Sequence, residues 1–193
     1  MNTGQMMLVI GAFAMLSILA LAFNRTMFTS LSLGLEMEAT LNALSIGQSM
    51  LDEVLAKDFD ETVTGGRRAY SYSDVTLAAN FGEDSGETIT GLDSAYYSGS
   101  TFYDYRSKLN FDDIDDYHLY QRRAWDPRMG YFDVIDSVTY VSETAPSAAS
   151  STRTFFKQIT VVVTHPNLPK ASDTSETSLP IILRDLSIYR RFF

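Results

Sequence analysis

Residues 6–23, MMLVIGAFAMLSILALAF, run for 18 positions without a charged side chain. As a helix this segment comes close to crossing a bilayer core, which takes about 20 apolar residues. Its surface has to be covered by lipid, by a large protein interior or by other helices. A secretion signal that is cut away has a basic start and a shorter apolar stretch closing on a small-residue box. Here no Lys or Arg precedes Met6, and the run closes on Phe23-Asn24-Arg25 without an Ala-x-Ala box. The pattern therefore favours a retained membrane segment over a discarded signal. A buried helix of a soluble protein is the remaining alternative, and it needs a large core to surround it.

The sequence beyond the run continues the helix. Residues 26–57 contain no proline, and Met37, Leu41, Leu44, Gln48, Leu51 and Leu55 recur at spacings of four and three. Glu36, Thr40, Asn42, Ser45, Ser49, Asp52 and Glu53 take much of the remaining circumference, so this half reads as an amphipathic helix outside lipid. Gly34 and Gly47 each lower helix propensity by about 1 kcal/mol without forcing a break. A continuous helix over residues 6–57 is about 78 Å long at ~1.5 Å per residue. Its outer half is expected to lie along a head domain, with Leu41, Leu44, Leu51 and Leu55 facing that head, while its inner half needs another cover.

Residues 58–193 are enough for one domain with its own core, and they read as mostly β. Val75, Leu77 and Ala79 alternate with other residues, as do Phe132, Val134, Val138 and Tyr140 within GYFDVIDSVTYVS. FKQITVVVT and LPIILRDLSIY are the clearest strands, and they are expected to pair antiparallel across HPNLPKASDTSET. Residues 80–128 are poor in aliphatic side chains and read as loops, with short strands around Thr88 and Leu119. The fold class is thus α+β: a long helix, apolar then amphipathic, on an antiparallel β-sheet head.

Charge and residue usage narrow the function. With 24 acidic against 15 basic residues and a net charge of −9, the surface repels nucleic acid and anionic lipid. Cysteine is absent, which removes disulfides, thiolate metal ligands and thiol catalysis. His118 and His165 are the two histidines, and no nucleophile elbow, His-Glu-x-x-His helix or phosphate loop occurs. The expectation is a protein that is not an enzyme and carries no cofactor. One metal reading stands beside it: Asp112, Asp113, Asp115 and Asp116 offer oxygen ligands of the kind Ca²⁺ takes, although their spacing is not that of the Asp-x-Asp-x-Asp-Gly loop. Turn capping, a solvated acidic surface and a subunit contact to Arg122 and Arg123 are the alternatives for the same cluster.

In plan the chain resembles the type IV pilins and the pseudopilins of type II secretion. NALSIGQSMLDEVLAKDFD is similar to the end of the long helix in minor pilins of the mannose-sensitive haemagglutinin type, and FDDIDDYHLY to an acidic segment of the same proteins. FFKQITVVVTHPNLP and LPIILRDLSIYRR resemble their last two head strands. The resemblance implies a leader of residues 1–4, cut after Gly4 by a prepilin peptidase that methylates the new terminus at Gln5. It also implies a helix over 5–57 whose half at 6–23 serves first as membrane segment and then as filament core, through Leu8, Val9, Phe13, Leu16, Leu19, Leu21 and Phe23. Gln5 stands where the family has Phe or Met, and Val9 where it has a glutamate that meets a neighbour's amino terminus.

The function so implied is a structural subunit of an extracellular or periplasmic pilus-like filament. It would form a homo-oligomer or a mixed filament with other pilin-like subunits, assembled by inner-membrane machinery. The protein would sit in the cytoplasmic membrane before assembly and outside the cell afterwards. The alternative is a single-pass, membrane-anchored β domain that binds a ligand or partner without polymerising.

Overall fold

The computed structural model describes residues 2–171 and 177–190. One helix, α1 (Thr3–Leu55), contains both the apolar run and its amphipathic continuation. By contacts the chain divides into two units, residues 1–38 and residues 39–193. The first is the apolar part of α1, and its large side chains are exposed throughout. Ser17, Thr26 and Thr29 donate their hydroxyls to the carbonyls of Phe13, Ala22 and Arg25 four residues back. The helix thereby satisfies its own polar side chains, which an apolar surrounding requires.

The second unit packs the end of α1 against a five-stranded antiparallel sheet. Its strands are β3 (Gln121–Asp126), β4 (Gly130–Ser142), β5 (Ala145–Ala149), β6 (Phe156–Thr164) and β7 (Ile181–Ile188), preceded in the chain by a hairpin of β1 (Tyr96–Ser98) and β2 (Thr101–Tyr103). The sheet order is β3-β4-β6-β7, with β5 folded back on the end of β4. β6 and β7 pair antiparallel from Phe156↔Ile188 to Val163↔Ile181, as the two β-branched runs predict; residues 172–176 of the loop joining them lie outside the described residues. Phe132, Val134 and Val138 of β4 and Ile159, Val161 and Val163 of β6 form the face under the helix. A short helix, α2 (Ser107–Asn110), and 3-10 turns at Glu61–Gly66, Ala78–Asn80 and Asp115–Tyr117 complete the head.

The buried face of α1 differs from the predicted stripe. Leu51 is buried and Leu55 packs against the core, but Leu41 and Leu44 are 64% and 46% exposed. The sheet is met instead by Ala39, Ala43, Ile46, Gly47, Met50, Leu51 and Val54, a face about a third of a turn away at ~100° per residue. The reason is steric. A Cβ added to Gly47 would lie 2.2 Å from Leu183 Cδ1 and 3.3 Å from Val163 Cγ2, so at this point the helix approaches the strands too closely for a large side chain. The small residues Ala39, Ala43 and Gly47 make that line before Leu51, and Leu41 and Leu44 point away.

Two strand expectations also change. Residues 75–79 form no strand but a buried Val75 followed by the 3-10 turn at Ala78–Asn80. No strand forms at Thr88, and Leu119 has a left-handed φ of 62°, which turns the chain into β3 at Gln121.

Candidate functional site

The acidic segment FDDIDDY lies at the centre of the head. Asp113 Oδ1 accepts the N–H of Asp116, and Asp116 Oδ2 accepts those of Asp112 and Asp113. This reciprocal pair closes the start of the Asp115–Tyr117 turn in the manner of a capping box. A parallel bridge between Asp58 and Asp113 ties the segment to the exit of α1. Of the four aspartates only Asp112 is exposed.

Asp115 turns inward to Lys157, which occupies a core-facing position of β6 in line with Ile159, Val161 and Val163. Lys157 and Asp60 are wholly buried, and Asp115 is 4% exposed. The Lys157 Nζ donates to Asp115 Oδ1 at 2.5 Å, to Asp60 Oδ2 at 3.0 Å and to the Phe59 carbonyl at 2.6 Å. Rings of Phe59, Phe81 and Tyr140 surround it, with centroids 4.6, 5.0 and 5.6 Å away. Burial works to raise Asp60, but the Lys157 charge and hydrogen bonds from Lys157, Thr62 and Thr76 hold it below the usual carboxylate value. Burial lifts Asp115 despite Lys157. Burial together with the charges of Asp115 and Asp116 pushes Asp113 up to about 9, so that its carboxyl carries a proton at neutral pH and bonds to Asp115.

Of the four aspartates of the calcium expectation, Asp113 and Asp116 are thus engaged in turn capping and Asp115 by Lys157, while Asp112 is exposed. Asp112, Asp116 and Glu87 place carboxylate oxygens within 4.8 Å of one another. Burial and the two neighbouring aspartates raise Glu87 to about 7, and burial raises Asp116 to about 6. With both carboxyls raised toward neutrality their approach does not call for an ion, and no metal is assigned to them.

Arg122 serves the interior as well. It grips Glu53 of α1 through two parallel bonds of 2.8 and 2.6 Å and donates to Tyr120 Oη and Ser107 Oγ. Tyr117 Oη also donates to Glu53. Below this network Asp93, 1% exposed, accepts the N–H groups of Arg106 and Ser107 and the hydroxyl of Tyr120. Arg123 points outward to Asp133. The subunit contact expected of the two arginines therefore does not fit Arg122, which is buried within its own head. His118 Nδ1 accepts the N–H of Val138, and His165 Nε2 lies 3.0 Å from the Met129 carbonyl; both histidines hold backbone in place.

Gly4 and Gln5 lie in the first turn of α1, and the Gln5 N–H bonds to the Asn2 carbonyl. Leu8, Phe13, Leu16, Leu19, Leu21 and Phe23 are all at least 60% exposed, and Val9 is 44% exposed. Among the described residues α1 is the one helix long and apolar enough to cross a membrane.

No protein-family model, curated protein or solved structure matches the chain. The architecture, a long N-terminal helix packed on an antiparallel sheet, is pilin-like in general terms. The buried Lys157, Asp60 and Asp136 are absent from the residues that sequence reasoning singled out. Strand parity marks two of them: Lys157 shares a face with Ile159 and Val161, and Asp136 with Val134 and Val138.

Proposed function

We propose that this chain is a structural subunit of a pilus-like filament, held in a membrane by α1 and assembled through it alongside copies of itself or similar subunits. The observation that carries this reading is the length of helix left apolar and uncovered. Beyond Arg25, where a bilayer span would end, Met27, Phe28, Leu31, Leu33, Leu35 and Met37 are each at least 42% exposed, and so are Leu41 and Leu44 of the second unit. From Met6 to Leu44 the helix measures about 57 Å at ~1.5 Å per residue, whereas a hydrocarbon core is about 30 Å thick. Lipid covers roughly half of this, and parallel helices of neighbouring subunits are the cover that suits the rest. Under this reading the inner-membrane assembly machinery supplies the work of extraction and a prepilin peptidase cuts after Gly4.

The test separates a polymer from a lone anchor. Leu31→Asp, beyond the span, should leave membrane insertion intact and abolish recovery of the chain in sheared extracellular fibres. Leu19→Asp should impair both steps, since an unpaired carboxylate in an apolar surrounding costs at least several kcal/mol. A wild-type chain that stays with membranes while its cells shed filaments favours the anchored binding domain and overturns the filament reading.

A further inference from the structure

We propose that Lys157 and Asp115 are joined by an intramolecular isopeptide bond, formed autocatalytically in the folded head, with Asp60 fixing the amine and Asp113 polarising the electrophile. The inference rests on what surrounds Lys157. Its amine is wholly buried, touches two carboxylates and is boxed by the rings of Phe59, Phe81 and Tyr140. A buried ion pair contributes little net stability, and an amine beside a carboxyl group is a nucleophile beside its electrophile once a proton has passed between them. Fixed proximity of this kind is worth effective concentrations on the order of 10⁵ M or more.

The two carboxylates have different roles. Asp60 is saturated with donors: Thr62 and Thr76 each give a backbone N–H and a hydroxyl, and the Tyr140 hydroxyl lies 3.5 Å away. These bonds hold its negative charge in place, which makes it a poor electrophile and a poor proton acceptor, and its role is to fix Nζ beside Asp115. Asp115 has Lys157 on one side and the Asp113 carboxyl on the other. The Asp113 proton polarises the Asp115 carboxyl, as a donor aimed at a developing oxyanion does.

The step balances without any other reactant. The Lys157 ammonium gives one proton to Asp115, the carboxylate it touches and one whose pKa burial raises. The amine lone pair then forms the new N–C bond at Asp115 Cγ. The C–O bond of the resulting tetrahedral centre breaks, and the oxygen leaves as water with the proton received from Lys157 and one more from the nitrogen. The products are a neutral amide and one water, Asp60 and Asp113 keep the protonation they began with, and the net charge of the site is unchanged. Exclusion of solvent from these side chains protects the amide from the reverse reaction. The bond would fasten the Asp115–Tyr117 turn to β6, a covalent staple in a chain without cysteine.

The test is the mass of the full-length protein, purified in detergent and denatured under reducing conditions. The wild-type chain should be lighter than its sequence by one water, whatever its amino terminus, and proteolysis should yield a branched peptide joining Lys157 to Asp115. Lys157→Arg and Asp115→Ala should restore the missing water. Asp113→Asn, which keeps the shape of the turn, should fold to the same circular dichroism spectrum while forming the link more slowly by tenfold or more. Folded wild-type protein that keeps its full mass after prolonged incubation overturns the proposal. A branched peptide mapped to Asp60 overturns the assignment of the electrophile.

Discussion

Gly47 shows how one residue can be misread from propensity alone. In sequence it is a weak point of a helix; in the structure it is where the helix touches Leu183 and Val163. Gly47→Ala gains helix propensity of about 1 kcal/mol but asks the end of Leu183 to swing away and Val163 to give slightly. Gly47→Leu overpacks the contact and should lower stability by about 1–3 kcal/mol, measurable by urea unfolding of the head.

Asp136 poses the opposite problem. It is wholly buried on the core face of β4, and neither carboxylate oxygen has a hydrogen-bond partner among the described residues. Burial holds its pKa well above the ordinary value of 3.8, with the Arg122 charge opposing and that of Glu53 adding. The folded head therefore keeps a proton that the unfolded chain releases above about pH 4, so this group's contribution to stability declines as pH rises from there. Asp136→Asn should leave stability at pH 4 nearly unchanged, raise it at pH 8, and flatten the slope between them. Glu87, raised to about 7, adds a slope of the same sign and should remain in the variant. Period-two reading of GYFDVIDSVTYVS places Asp136 inward, but a polar residue among apolar ones in a strand is easily assigned to a bulge or an edge.

Among the elements, the long helix, β4, β6 and β7 were legible because their signals are long and periodic. The β1–β2 hairpin was not. Tyr96, Tyr97, Phe102 and Tyr103 are all exposed, and the rings pair across the strands, Tyr96 with Tyr103 and Tyr97 with Phe102. With aromatic side chains on both faces there is no alternation to read. The rotational setting of α1 was also hidden, because hydrophobicity favours leucine whereas the sheet selects for small size along Ala39, Ala43 and Gly47. Glu53, read as part of the solvated face, instead joins α1 to β3 through Arg122. Arg122→Met should destabilise the head by about 3–5 kcal/mol by leaving the Glu53 carboxylate, 10% exposed, without its counter-ion. Glu53→Leu combined with Arg122→Met should recover most of that loss in denaturant titrations, since an apolar pair can replace a buried ion pair at little cost.

At the scale of the molecule, the division at residues 38 and 39 marks where α1 begins to be covered on one face by its own chain. A chain starting at Glu36 should be soluble, folded and monomeric by light scattering, because it keeps Ala39–Val54 against the sheet and loses the apolar run. Amino-terminal sequencing of the protein taken from membranes or fibres should begin at Gln5; recovery of the uncut chain from cells that process other prepilins would remove the peptidase from the scheme and leave the helix where it is.

The close approach at Gly47 and the two-pronged grip of Arg122 on Glu53 have a mechanical meaning. A load applied along the axis of α1 acts parallel to the surface it shares with the sheet. With Leu183 seated in the notch at Gly47 and the charge pair closing the far end, the helix cannot advance by one residue without giving up both at once. Tension therefore meets resistance in shear, spread over the whole contact, whereas the same helix pulled sideways would peel off one turn at a time.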